Sequence, residues 1–103
     1  DAPVEIGDPR IEFYAAVTRK DVDGYHSDGW NLDQRLTRFE ALKMFTIWPA
    51  IASFQEDVKG TIEVGKLADF SIFDQDLMSI PEEKILESKN ILTVVGGKIV
   101  FQK

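Results

Sequence analysis

His26 is the only histidine in a chain of 103 residues that contains no cysteine. A catalytic zinc site takes about three protein ligands, commonly two or three of them histidines, so this stretch of sequence cannot build such a centre from its own residues. Ser27 and Asp28 follow His26 directly, but the members of a nucleophilic triad meet in space rather than in a row, and no strand–turn–helix elbow surrounds the serine. The acidic residues of the same stretch, Asp21, Asp23, Asp28 and Asp33, lack the alternate spacing and closing glutamate of an EF-hand, so they describe a solvated loop. Tyr25 and Trp30 could line a pocket; loop aromatics more commonly pin a loop to the body. Lys66 follows Gly65 as a lipoyl or biotinyl lysine would at a hairpin tip, yet the neighbours of such a carrier are absent. Asp69 stands at the mouth of a strand, where a carboxylate accepts turn N–H groups.

The net charge of −6 and pI near 4.7 argue against nucleic-acid or anionic-membrane partners, because both require a basic surface. No run approaches the roughly 18 apolar residues of a membrane helix. The absence of cysteine excludes a disulfide scaffold and thiol catalysis and places the chain in no compartment. No signal peptide is visible, and a chain opening on aspartate leaves its true start undecided. At this length and 44% hydrophobic content, the chain is one small domain or a piece of a larger one.

Several elements must position these groups. Asp8-Pro9 predicts a helix start, with Asp8 as N-cap and Pro9 where a missing N–H costs nothing; Ile11, Phe13, Tyr14, Ala15 and Val17 give that helix a broad apolar face up to about Arg19. Residues 20–35 have no period and read as a long loop, a length that is usually functional or mobile. Thr37 and Glu40 form a capping box that opens a second helix. Leu42, Phe45 and Trp48 make one apolar stripe on it and Met44, Ile47 and Ile51 another, which predicts a helix between two layers. Pro49 predicts a break near Trp48 and a further helical turn over residues 49–53. Residues 61–64 and 70–73 read as strands, joined through a turn at Gly65-Lys66 in which the lysine keeps the loop solvated. Residues 79–86 read as a short capped helix with Pro81, Glu82 and Glu83 in its first turn. Residues 91–95 and 98–101 form a hairpin about Gly96-Gly97. The organisation is a helical first half and a β second half.

Residues 59–74, K-G-T-I-E-V-G-K-L-A-D-F-S-I-F-D, carry the pattern G-x-I-x-x-G-K-x-A-D. Together with Asp1-Ala-Pro-Val-Glu5, the Tyr14-Ala-Ala-Val-Thr18 helix, Leu36-Thr37, Glu40-Ala-Leu42 and Thr93-Val-Val-Gly-Gly-Lys98, it resembles the C-terminal portion of the amidohydrolase superfamily, in particular amidohydrolase family 3. The resemblance implies an α+β fragment in which residues 1–55 are the terminal helical part of a TIM barrel and residues 56–103 are strands of a small β-sandwich. It implies a parent enzyme that hydrolyses carbon–nitrogen bonds other than peptide bonds, on small amide-type substrates, with water activated on one or two divalent metal ions such as zinc. Asp1 then matches the aspartate that ends the eighth barrel strand, which contacts the metal and acts as general base toward the water there, a role available only in the complete barrel. The family's H-x-H motif, bridging lysine or glutamate and two later histidines lie outside this sequence, so the fragment alone is expected to hold no cofactor and to be inactive. Its uncovered strands are expected to favour a homo-oligomer or swapped dimer. The competing expectation is an autonomous α+β interaction or ligand-binding domain without catalysis, in which the glycine–lysine turn is coincidental.

Overall fold

The computed structural model describes residues 3–25 and 28–103. Helix α1 (Pro9–Thr18) starts as expected: extended backbone at Asp8 lets its carboxylate accept the Arg10 N–H at 2.9 Å, and Pro9 takes the first helical position. It stops at Arg19, whose left-handed φ of 59° turns the chain while its N–H donates to the Ala15 carbonyl. Phe13, Tyr14 and Val17 are buried, and the Thr18 hydroxyl satisfies itself on the Tyr14 carbonyl.

The long loop leaves and returns to the same place. The Trp30 N–H donates to the Arg19 carbonyl at 2.9 Å, and the Arg19 guanidinium lies 5.1 Å from the Trp30 ring centroid. A Cβ on Gly29 would stand 2.7 Å from the Thr18 carbonyl oxygen, which is why glycine occupies the point where the returning chain crosses the helix end. Among the loop's described residues, the regular structure is a 3-10 turn, Leu32–Gln34. Trp30 is therefore a pin for the loop.

Helix α2 (Arg38–Phe45) opens on a complete capping box, with the Thr37 hydroxyl accepting the Glu40 N–H and the Glu40 carboxylate accepting the Thr37 N–H. The break falls at Thr46 (φ −126°, ψ −92°), ahead of the position expected from Pro49. Pro49 instead sits in the first turn of helix α3 (Ile47–Ala52), where helical N–H groups have no intrahelical partner and proline is tolerated. The expectation that α2 lies between two layers is not met: Ala41 alone is buried on it, and Phe39, Leu42, Trp48 and Ile51 are exposed along α2 and α3.

Strands β1 (Phe70–Phe73), β2 (Asn90–Val95) and β3 (Lys98–Gln102) form one antiparallel sheet in the order β1-β2-β3. Gly96 and Gly97, with φ of 56° and 77°, make the hairpin turn. The register slips between Thr93 and Val94, so β3 carries an extra residue there as a bulge. Residues 61–64 are not a strand. A strand needs a neighbouring ladder, and in this segment the backbone closes on itself: the Lys66 N–H donates to the Glu63 carbonyl across a tight turn, while Leu67 N–H donates to Val58. Ile62 and Val64 are left exposed. The segment at 79–86 also differs from expectation, being a 3-10 helix, Glu82–Glu87, with Pro81 at its cap and no side-chain cap bond. Ser79 is diverted, its hydroxyl donating to Asp76.

That crossover between β1 and β2 reaches into the helical half. Ile85 is fully buried against Phe13, Tyr14, Val17 and Ala41, with Leu36, Phe45, Leu77, Ile80 and Leu86 packed around them. Arg38 on α2 donates to the carbonyls of Leu77 and Ile80, fixing the crossover from the other side.

Candidate functional site

Asp1 lies outside the described residues, as do Ala2, His26 and Ser27. The lead that follows Asp1 is exposed at Val4 and Ile6, turns at Gly7 (φ 73°), and becomes fixed at Asp8. There the chain is held firmly. The Asp8 carboxylate receives the backbone N–H and the guanidinium of Arg10, and Arg10 reaches on to the Ser88 carbonyl at the end of the crossover. The Arg10 hydrogen bonds hold the Asp8 carboxyl below its usual range, against the opposing effect of partial burial, and Asp8 in turn raises Arg10.

Beside this junction, an open and largely apolar cleft of about 580 Å³ runs between the helices and the sheet, lined by Phe13, Leu42, Phe45, Phe70, Phe73 and Val94 among others. Its carboxylates serve the backbone. Asp69 accepts the Gly96 N–H at 2.6 Å, and the neighbouring Ala68 carbonyl accepts that of Gly97, so Asp69 has the turn-binding role expected of it. Asp76 accepts from the Ser79 hydroxyl and the Met78 N–H, and these bonds, the Ser79 one first, lower its pKa. A second cleft of about 430 Å³ lies along α1 between Ile6, Ile11, Ala15, Arg19, Val22 and Trp30.

Lys66 is not displayed for modification or solvent. Its side chain is 15% exposed, with the ammonium donating to the Thr61 hydroxyl at 2.7 Å and paired with Glu63 at 2.9 Å. The Glu63 carboxyl is lowered by Lys66 first and Thr61 second. The expectation that this lysine keeps the turn solvated is therefore corrected: it closes the turn from inside. Among the described residues, no group of three or more His, Cys, Asp or Glu side chains is arranged to hold a metal ion. Sequence reasoning passed over Arg10, Arg38 and Ser88. Asp8-Pro-Arg10 carries a visible local pairing signal, but the carbonyls that Arg10 and Arg38 reach come from residues distant in sequence and leave no side-chain signature.

The elements thus run helical first and sheet last, with the glycine–lysine turn between. The amidohydrolase family profile matches residues 1–101, and the chain belongs to that family. It is 33% identical over 105 residues to "Putative amidohydrolase YtcJ" of Bacillus subtilis, covering 100% of this chain and 20% of that protein. It is 30% identical over 103 residues to the N-substituted formamide deformylase of Arthrobacter pascens, covering 100% of this chain and 18% of the deformylase. A 5-methylthioadenosine/S-adenosylhomocysteine deaminase of Caldanaerobacter subterraneus is 38% identical over 74 residues, covering 63% of this chain and 17% of that enzyme. The chain spans about a fifth of the length of the curated relatives it matches. No solved structure matches it.

Proposed function

We propose that the chain is the C-terminal part of a metal-dependent amidohydrolase that hydrolyses a carbon–nitrogen bond, other than a peptide bond, in a small amide-type substrate. The observation that carries this reading is the family match over residues 1–101, joined to relatives named for deformylation of N-substituted formamides and for deamination. Residues 1–55 are read as the closing helical part of a TIM barrel and residues 56–103 as strands of the adjoining β-sandwich. The short ladder of three strands and the turn at 61–66 without a ladder partner suit a sheet whose remaining strands come from elsewhere in the polypeptide. A divalent metal, zinc in the first instance, would supply Lewis-acid activation of water in the complete enzyme. From this chain, Asp1 would stand at the barrel end, help to hold that metal, take a proton from the attacking water and return it to the leaving nitrogen.

Replacing Asp1 by Asn in the complete enzyme tests the assignment. The amide keeps the size and can still hydrogen-bond water but cannot accept its proton, so turnover of an N-alkylformamide should fall by roughly 10² to 10⁴ with KM little changed. Retention of more than about a tenth of wild-type turnover at equal metal content, below the smallest loss expected on removing a general base, would return Asp1 to a plain lead residue.

A further inference from the structure

The sheet meets the helices chiefly through the crossover between β1 and β2. Helix α1 packs on α2 and on the 3-10 helix Glu82–Glu87, the strands pack chiefly on one another, and the cleft of about 580 Å³ lies between helices and sheet. The crossover is closed at its base, where the Lys89 N–H donates to the Asp74 carboxylate at 2.7 Å and the Asp74 N–H donates to the Lys89 carbonyl at 2.9 Å. Within it, Asp76 builds a turn: its carboxylate accepts the Met78 N–H and the Ser79 hydroxyl, and its carbonyl accepts the N–H groups of Ser79 and Ile80. That turn brings the Leu77 and Ile80 carbonyls to one guanidinium, with Arg38 donating Nη1 to the first and Nη2 to the second. Further along, Ile85 is fully buried among Phe13, Tyr14, Val17 and Ala41, and the Ser88 carbonyl accepts from Arg10.

We propose that residues 74–89 are a strap that opens and closes as a unit, with Arg38 as its latch. The latch holds one wall of the cleft, Gln75 to Met78, against the helices, and its release frees the strap while the sheet stays folded. The closed base makes the excursion independent of the ladder, because β1–β2 pairing ends at Phe73 and Asn90, inside the Asp74–Lys89 pair. Burial within the strap is confined to Ile85 and Ser88, and a segment with so few buried apolar contacts opens ahead of the body it lies on. What keeps it shut beyond the Ile85 plug is therefore the arginine bonding. Arg38 is the first residue of α2, fixed by the Thr37–Glu40 capping box, so its fork starts from a rigid point. A guanidinium serves two carbonyls in fixed directions, whereas a lysine ammonium is a point charge without that fork. A hydrogen bond from a charged donor favours the closed state by roughly tenfold or more. The latch requires neither a metal nor Asp1.

Hydrogen–deuterium exchange of the complete protein, followed near neutral pH in peptides from this chain, tests the latch. Arg38→Met keeps an apolar stem and removes both donors. Exchange at the strap amides of Ser79, Ile80 and Lys84 should rise about tenfold or more, while the amides of β2 stay within about twofold of wild type. Arg38→Lys, which keeps the charge and loses the fork, should lie between the two, with a rise of about threefold or more in the strap. Strap exchange in Arg38→Met within about twofold of wild type would overturn the proposal. A rise in β2 that matches the rise in the strap would overturn it equally, because strap and sheet would then open together. Should Arg38→Met fail to fold, Arg38→Lys decides by the same two readings.

Discussion

Gly60 and Gly65 bracket the signature turn, yet they are glycines for different reasons. At Gly60 the φ is 100° and an added Cβ would stand 2.8 Å from the Ala50 Cβ and 3.1 Å from the Ile47 Cα, so the chain must press its bare backbone onto α3. At Gly65 the φ is 97° but nothing lies within 4 Å, so only the backbone angle excludes other residues. Gly65→Ala should accordingly lower unfolding free energy by about 1–2 kcal/mol, the cost of a left-handed non-glycine residue. Gly60→Ala carries that strain plus a steric clash, which alone typically costs about 1–3 kcal/mol, and should be the worse of the two. Urea denaturation of both variants, read as a shift in midpoint at constant slope, gives the order directly. Equal losses would mean that α3 moves aside.

The helices depend on acids at their starts. Asp8 is lowered chiefly by the Arg10 side chain and Glu40 chiefly by the Thr37 backbone N–H, then by its hydroxyl. A carboxyl whose folded pKa lies below its unfolded value stabilises the fold fully above that unfolded value, and the contribution is lost as pH falls through the folded one. With reference values of 3.8 for Asp and 4.5 for Glu, thermal midpoints should hold near neutrality and decline from about pH 5 downward. Asp8→Asn, which retains cap geometry but loses the ion pair with Arg10, should flatten part of that decline. Thr37→Ala removes a cap outright and should cost about 1 kcal/mol near neutral pH, measured by thermal or urea unfolding, with the loss shrinking at low pH because the hydroxyl also donates to the Glu40 carboxylate.

At the scale of the molecule, the core belongs to the junction of the halves rather than to either. Ile85, from the crossover between strands, fills the space between α1 and α2, whereas the sheet itself buries only Val94. β3 is an edge strand with Ile99, Val100 and Phe101 at 60%, 61% and 46% exposure. An unpaired edge beside exposed apolar side chains favours pairing with another chain. The 103-residue chain by itself should therefore associate as its concentration rises and bind an apolar-surface dye. Light scattering that reports a monomer throughout, with no dye fluorescence, would contradict this.

The sequence by itself determined the elements whose signals are local. The Asp8-Pro9 start, the Thr37–Glu40 capping box and the Gly96-Gly97 hairpin each involve groups a few residues apart, and all three stand where the spacing places them. The family, too, was legible in the glycine–lysine signature and its companions along the chain. Whatever required a distant partner was decided only by the tertiary structure. Residues 61–64 have the alternation of a strand but no ladder to join, so their backbone turns on itself and draws Lys66 inward onto Thr61 and Glu63. The two apolar stripes on residues 42–51 look like those of a sandwiched helix, yet a stripe states only what could be buried, and in this chain α2 and α3 are covered on one side. The Arg10 and Arg38 clasps end on backbone carbonyls, which every residue carries alike, so no pattern of side chains could have announced them before the chain was folded.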